Sequence, residues 1–296
     1  MTVKPWDEGM RAPGHSRGIV DIPKWWYLLD LLVKKELRVR YRGSILGMMW
    51  TYVKPVVQLT VFYFAAGKFM KMSDGMDNYV IYLFSGIIMI NLFNEILMNV
   101  TTSIVANAAL VGKIYLPREL FPVSSVWVAL VHFFPQVVVL LVGAVVTGWR
   151  PGPLNIVAIM GGVLVVALSA LGLGLAFAAW NVMFRDSQNF VELISMVVFW
   201  MSPVIYKWSM VNEAIPRWLW YVYMANPVTI AVELFHYGFW VPTTGPLTSA
   251  HGEMWTMMPN HWVYWSGIGL VVSLVLVAFG QAVFRKHEAV FAQELG

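Results

Sequence analysis

Residues 154–180 run for 27 positions without one charged side chain. A helix crosses the hydrocarbon core of a bilayer with roughly 20 apolar residues, so this stretch reads as a membrane span. It belongs to a series of six windows, at about 45–67, 79–101, 119–147, 154–182, 189–206 and 262–284. The third and fourth are long enough to tilt or to project beyond the bilayer; the fifth is short. Composition agrees: the chain is 59% hydrophobic and 12% charged, where soluble domains average about 25% charged. The expected fold class is an all-α integral membrane protein with six transmembrane helices. There is no cysteine, which removes disulfide and thiolate chemistry. The first 24 residues are polar, contain no apolar stretch, and give no sign of a secretory signal.

Ahead of the first window lies "IPKWWYLLDLLVKKELRVRYR" (22–42). At helical spacing Trp25, Leu28, Leu29, Leu32 and Val39 share one face, and Asp30, Lys34, Arg38 and Arg42 the other. Glu36 and Arg40 interrupt the apolar stripe. Such an amphipathic helix is expected in the interface plane, its Trp and Tyr at headgroup level and its basic residues toward an anionic leaflet. The stretch 214–240 is apolar enough to cross, yet it holds Pro216, Arg217, an Asn226-Pro227 break, Glu233 and His236. The basic residues at both chain ends place both termini inside, which requires an even number of crossings. The stretch is therefore expected to be a re-entrant hairpin on the outer side, covered by protein where its backbone is irregular. With this topology fourteen Lys and Arg fall inside and five outside, counting Lys54 within the first span, in the sense of the positive-inside rule. The expected organisation is a flexible cytoplasmic tail (1–21), an interfacial helix (22–43), a six-span domain (44–284) and a cytoplasmic tail (285–296).

The chain carries no phosphate-cradling G-x-x-x-x-G-K-[ST]. Its Gly-Lys pairs, Gly67-Lys68 and Gly112-Lys113, lack the following Ser or Thr that would hold Mg²⁺. If ATP drives this protein, another chain hydrolyses it. The six histidines are scattered, with no H-E-x-x-H and no G-x-S-x-G, so neither a metal site nor a catalytic residue is expected. Asp74 and Asp77 read as a solvated loop. Asn91, Glu95 and Asn99 recur at fourfold spacing in the second window, with Asn94 beside them. They form either one wall of a hydrophilic conduit or a set of inter-helix hydrogen bonds, since an ionisable residue in a bilayer must face protein or water. Lys54 either counters a substrate phosphate or snorkels to the interface. Aromatic residues crowd from Phe199 to Trp265, either as an interfacial belt or as conduit rings, with Trp200, Tyr206, Trp218 and Tyr221 the candidates. Ala170, Gly174 and Ala178, with Gly172 and Ala176 alongside, read as a close-packing helix surface.

Between the second and third windows stands "NAALVGKIYLPRELFPVS" (107–124), more structured than a bare turn requires, with a further helix expected to begin at Pro117. Within it "GKIYLPRELFPVS" resembles the Lys-x-x-(Phe/Leu)-Pro-Arg-Glu-x-x-Pro signature of type-2 ABC exporter permeases that move polysaccharides of the O-antigen, teichoic-acid or galactan kind. "FRDSQNFVELISMVVFWMSPVIY", "YMANPVTIAVELF" and "FRKHEAVFAQEL" resemble further segments of that family, in the same order, across about 25–294. Gly112 and Leu116 depart from its pattern. The resemblance implies a homodimer paired with two copies of a separate nucleotide-binding ATPase, which would hold ATP and Mg; no cofactor belongs to this chain. It implies an ATPase coupling helix over 103–113, with Ser103, Asn107, Leu110, Val111, Gly112 and Lys113 as candidates. The substrate would be a lipid-linked polysaccharide carried across a bacterial plasma membrane, its head group met by Trp25, Trp26, Arg38, Arg40 and Arg42 together with membrane lipid. No nucleic acid is expected. Rival readings are a drug or small-lipid exporter, a membrane-embedded enzyme of cell-wall lipid synthesis, and a passive channel.

Overall fold

The computed structural model describes residues 18–74, 76–113, 116–244, 261–289 and 291–294. The expected tail thus lies outside the described residues up to residue 17. All regular structure among the described residues is helical. Four helices are long and apolar enough to cross a membrane: α3 (Tyr79–Ala106), α5 (Leu120–Val146), α6 (Pro153–Met183) and α11 (Trp262–Glu288). They correspond to the second, third, fourth and sixth expected spans.

The first and fifth windows form shorter helices. α2 (Trp50–Phe62) covers 13 residues and passes into a π-helical turn, Tyr63–Phe69. Pro55 inside α2 removes one ladder hydrogen bond. α7 (Ser187–Trp200) has 14 residues; Ser202 precedes Pro203, which disfavours helical geometry at the residue before it. The fifth window counted the bend after Trp200 as helix, whereas 3-10, α and π helix run unbroken over 47–69 and cover nearly all of the first window.

α6 sits at the centre, packed most extensively on α11, α3 and α10 (Pro227–Phe235). The small-residue surface is the reason. Gly172 and Gly280 bring the α6 and α11 backbones together so closely that a Cβ on Gly280 would collide with the Gly172 carbonyl oxygen. A Cβ on Gly174 would collide with the Val100 side chain of α3. Small residues allow such approach between membrane helices, where dispersion contacts supply the association. The Ser273 hydroxyl adds a bond to the Val165 carbonyl, 3.1 Å. α3, apolar around most of its circumference, is buried along nearly its whole length. α11 turns most of its surface outward.

The stretch 214–240 is two short helices rather than one. α8 (Trp208–Ala214) precedes α9 (Arg217–Ala225). The Asn226 side chain then caps α10 by accepting from the Val228 N–H, 3.1 Å, and Pro227 occupies the first helical turn, where its missing N–H costs nothing. All nine residues of α10 are buried. A π-turn, His236–Trp240, follows. Trp240 Nε1 donates to the Asp77 carbonyl (2.8 Å) and Asn155 Nδ2 to the Tyr237 carbonyl (2.8 Å), tying this end to the start of α3 and of α6.

Candidate functional site

α3 stops at Ala106 because Asn107 leaves helical geometry, at φ −112° and ψ 22°. Its side-chain amide donates to the Ser103 carbonyl, 2.8 Å, and its oxygen accepts from Lys35 of α1 (Trp26–Tyr41). One turn of helix, α4 (Ala108–Val111), runs off in a new direction, and Gly112 and Lys113 follow it. Among the six sequence candidates, Ser103, Asn107 and Val111 face inward, Leu110 is half-buried, and Gly112 and Lys113 are exposed. Ala106 and Ala109 share that exposed side, and no sequence argument had singled them out.

The next helix begins at Leu120, not at Pro117. Pro117 opens a turn closed by the Leu120 N–H on the Pro117 carbonyl, 3.1 Å. Arg118 donates to the Glu288 carbonyl at the end of α11, and its guanidinium lies 5.8 Å from the centre of the Phe291 ring. Gln281 of α11 donates to the buried Glu119 carboxylate, 3.2 Å. The turn is therefore bonded to α1 on one side and to α11 on the other.

α1 lies against α5 and buries Leu29 and Leu32. Trp25 falls in the 3-10 turn before α1, and Trp25, Trp26, Arg38, Val39 and Arg42 are exposed. Val39, placed by spacing on the buried face, is 62% exposed. The interruptions of the apolar stripe explain this: they form a polar seam. Glu36 accepts from the Ser124 hydroxyl of α5, 3.2 Å. Arg40 reaches Glu95 of α3 at 2.7 Å. Burial pushes the Glu36 carboxyl above its ordinary value of 4.5, while Ser124, Lys35, Asn107 and Arg40 pull it partly back. The native state thus holds this proton more tightly than the unfolded chain does. Stability is greatest below the unfolded value of 4.5 and falls as pH rises through the raised folded one. The variant Glu36→Gln is expected to gain on the native protein in thermal unfolding as pH is raised above 4.5.

Beyond Arg40 a cavity of about 560 Å³ opens between the end of α1, α2, α3 and α5. Arg40, Lys54, Gln58, Asn91, Glu95 and His132 are among its walls. The Asn91 amide donates to Gln58, 3.0 Å. Glu95 lies 2.5 Å from His132 Nδ1, and the Tyr41 hydroxyl 2.8 Å from His132 Nε2. Asn91 and Glu95 therefore make inter-helix bonds and line a polar space at once, while Asn99 is half-buried further along α3. Gln58, His132 and Gln136 were missed. The available signal was two polar residues, His132 and Gln136, four apart in an otherwise apolar span.

At the other end Trp200, Trp218 and Tyr221 expose their rings. Tyr206 is half-buried, donates to the Trp200 carbonyl (2.8 Å), and accepts at its own carbonyl from Tyr82 (2.6 Å).

The chain is similar along most of its length to curated polysaccharide export proteins. It is 29% identical over 219 residues to the O-antigen export system permease protein RfbA of Klebsiella pneumoniae, covering 72% of this chain and 82% of that protein. It is 26% identical over 271 residues to RfbA of Myxococcus xanthus, covering 90% and 95%. It is 24% identical over 267 residues to the capsule polysaccharide export inner-membrane protein CtrC of Neisseria meningitidis, covering 88% and 90%. Residues 27–240, from α1 through the π-turn after α10, match the ABC-2 type transporter model. That match covers most of the chain and contains three of the four helices long and apolar enough to cross a membrane, and the chain belongs to the ABC-2 type transporter family.

Proposed function

We propose that this chain is the membrane-spanning subunit of an ATP-driven exporter that carries a lipid-linked polysaccharide outward from the cytoplasmic face. The observation that carries this reading is similarity, over up to 90% of the chain, to proteins whose names specify O-antigen or capsule polysaccharide export. Two copies of the chain pair with two copies of an ATPase that holds ATP and Mg. α2 with its π-turn and α7 complete six spans, α9 and α10 form the re-entrant hairpin, and both termini face the cytoplasm of a bacterial inner membrane.

In this mechanism the ATPase grips the exposed side of the turn after α3. Because the turn is bonded to α1 through Asn107 and to α11 through Arg118, its displacement moves helices on both sides of the bundle. The two nucleotide states then bias two arrangements of the helices, as differential binding must. Trp200, Trp218 and Tyr221 offer faces to successive sugars, with many weak contacts and no single tight one. Arg38, Arg40 and Arg42 receive the diphosphate of the lipid carrier, since guanidinium groups suit phosphate geometry.

The test is reconstitution of both chains in liposomes loaded with lipid-linked glycan. ATP-dependent appearance of glycan on the far side is expected only with both chains present; transport by this chain alone, or none with both, refutes the reading. In the same assay the triple variant Arg38→Gln, Arg40→Gln, Arg42→Gln is expected to lower transport on the order of tenfold, as for loss of charge-assisted bonds, with ATP hydrolysis largely retained. Equal loss of both activities would assign these residues to the motor contact.

A further inference from the structure

In the polar cavity the best-placed cation is already occupied. Arg40 Nη1 lies 2.7 Å from Glu95 and 3.0 Å from His132 Nδ1. Glu95 also lies 2.5 Å from that same Nδ1. One ring nitrogen cannot serve both neighbours. With a hydrogen on Nδ1 it donates to Glu95; without one it accepts from Arg40. The trio, drawn from α1, α3 and α5, therefore has two arrangements, with Glu95 holding the basic groups or withdrawn from them. His132 is buried, whereas Glu95 and Arg40 keep 20% and 41% of their side chains exposed toward the cavity and its mouth. Across the cavity Lys54 is exposed and has no carboxylate partner among the described residues. The Ser44 and Thr51 hydroxyls also line the space.

We propose that Glu95 is a built-in counter-anion that closes the Arg40 site, and that a diphosphate ester entering the cavity displaces it, taking Arg40 and Lys54 together. This rests on the exporter reading for its ligand class and adds its regulation. A dianionic or more highly charged head group wins the exchange because it can neutralise two cations, where Glu95 reaches one. Displacement then removes the Arg40–Glu95 link between α1 and α3, so arrival of cargo loosens the seam that joins the interfacial helix to the bundle. An internal competitor also lowers apparent affinity by the fraction of molecules whose site stands open. Removing the competitor must therefore tighten binding.

The experiment measures calorimetric binding of farnesyl diphosphate, and separately of inorganic pyrophosphate, to the detergent-purified permease–ATPase complex. Glu95→Gln is expected to bind about tenfold more tightly than the native complex, as for a site open in roughly one molecule in ten. Arg40→Gln should bind at least about tenfold more weakly, and adding Glu95→Gln to it should restore nothing. A gain for both probes assigns the site to the phosphates themselves; a gain for the farnesyl ester alone assigns it to the lipid-borne head group. Unchanged or weaker binding by Glu95→Gln overturns the proposal. Should that variant not fold, Glu95→Asp, with the carboxylate drawn back one methylene, must tighten binding in its place, and failure to do so overturns it equally. The outcomes are separable from the exporter reading: lost glycan transport with the binding gain intact sinks only that reading, and transport without the gain sinks only this inference.

Discussion

Substituting Ala109→Asp together with Lys113→Glu is expected to abolish ATP-driven transport while the chain still folds and inserts. Both positions are exposed on the turn after α3, away from the packing below it. Surface changes away from packed features usually shift stability by less than about 0.5 kcal/mol. A contact with a motor subunit is different. Introducing one carboxylate and reversing one cation in the middle of a small docking surface places wrong charges there, at a cost of several kcal/mol. A loss on the order of 10²-fold in co-purification with the ATPase follows, since about 1.4 kcal/mol is tenfold. Thermal unfolding of the chain alone should not move. The inward-facing members of the same segment behave oppositely: Asn107→Ala removes the bonds to Ser103 and Lys35, so it should lower stability as well as transport.

The largest stability effect is expected at the contact between α6 and α11. Gly280→Leu places a branched side chain where even a Cβ meets the Gly172 carbonyl, in backbone that cannot rotate away. Overpacking a filled core costs about 1–3 kcal/mol, and a collision with backbone belongs at the upper end, so about 3 kcal/mol is expected. α6 and α11 would have to separate, and Ser273 would lose its reach to Val165. Scanning calorimetry or a thermal-shift assay of the detergent-solubilised chain checks this. Gly267→Ala, on the same helix with open space around the added carbon, is the control. It should be neutral or slightly stabilising, because a helical Gly gives up about 0.5–1 kcal/mol to Ala.

The long spans were legible because bilayer thickness imposes a length that α3, α5, α6 and α11 all satisfy. The end of α7 was not, since apolar composition continues through the bend at Ser202-Pro203, and composition could not tell that the first window changes from 3-10 to α to π geometry along its length. Asn226-Pro227 was legible as a break, and the structure makes it the cap of α10. The close contact at Gly172 was suggested by small-residue spacing, but its partner Gly280 lies a hundred residues later, where spacing says nothing. The polar cavity shows the same limit more sharply. Arg40, Glu95 and His132 each sit in a different helix: Arg40 reads as an interruption of an apolar stripe, Glu95 as part of a polar stripe with Asn91 and Asn99, and His132 as one of six scattered histidines. Only their convergence makes them a site. The start of α5 at Leu120 was misplaced because a proline in a first helical turn and a proline opening a β-turn have the same φ.

The central claim is that the turn after α3 faces the cytoplasm and is gripped there by a separate ATPase. The chain contains no cysteine, so a single Lys113→Cys substitution gives a unique label. Membrane-impermeant maleimide should modify it in inverted membrane vesicles but not in intact spheroplasts, and bound ATPase should protect it. Labelling from the outer face, or full labelling with the ATPase bound, would contradict the account.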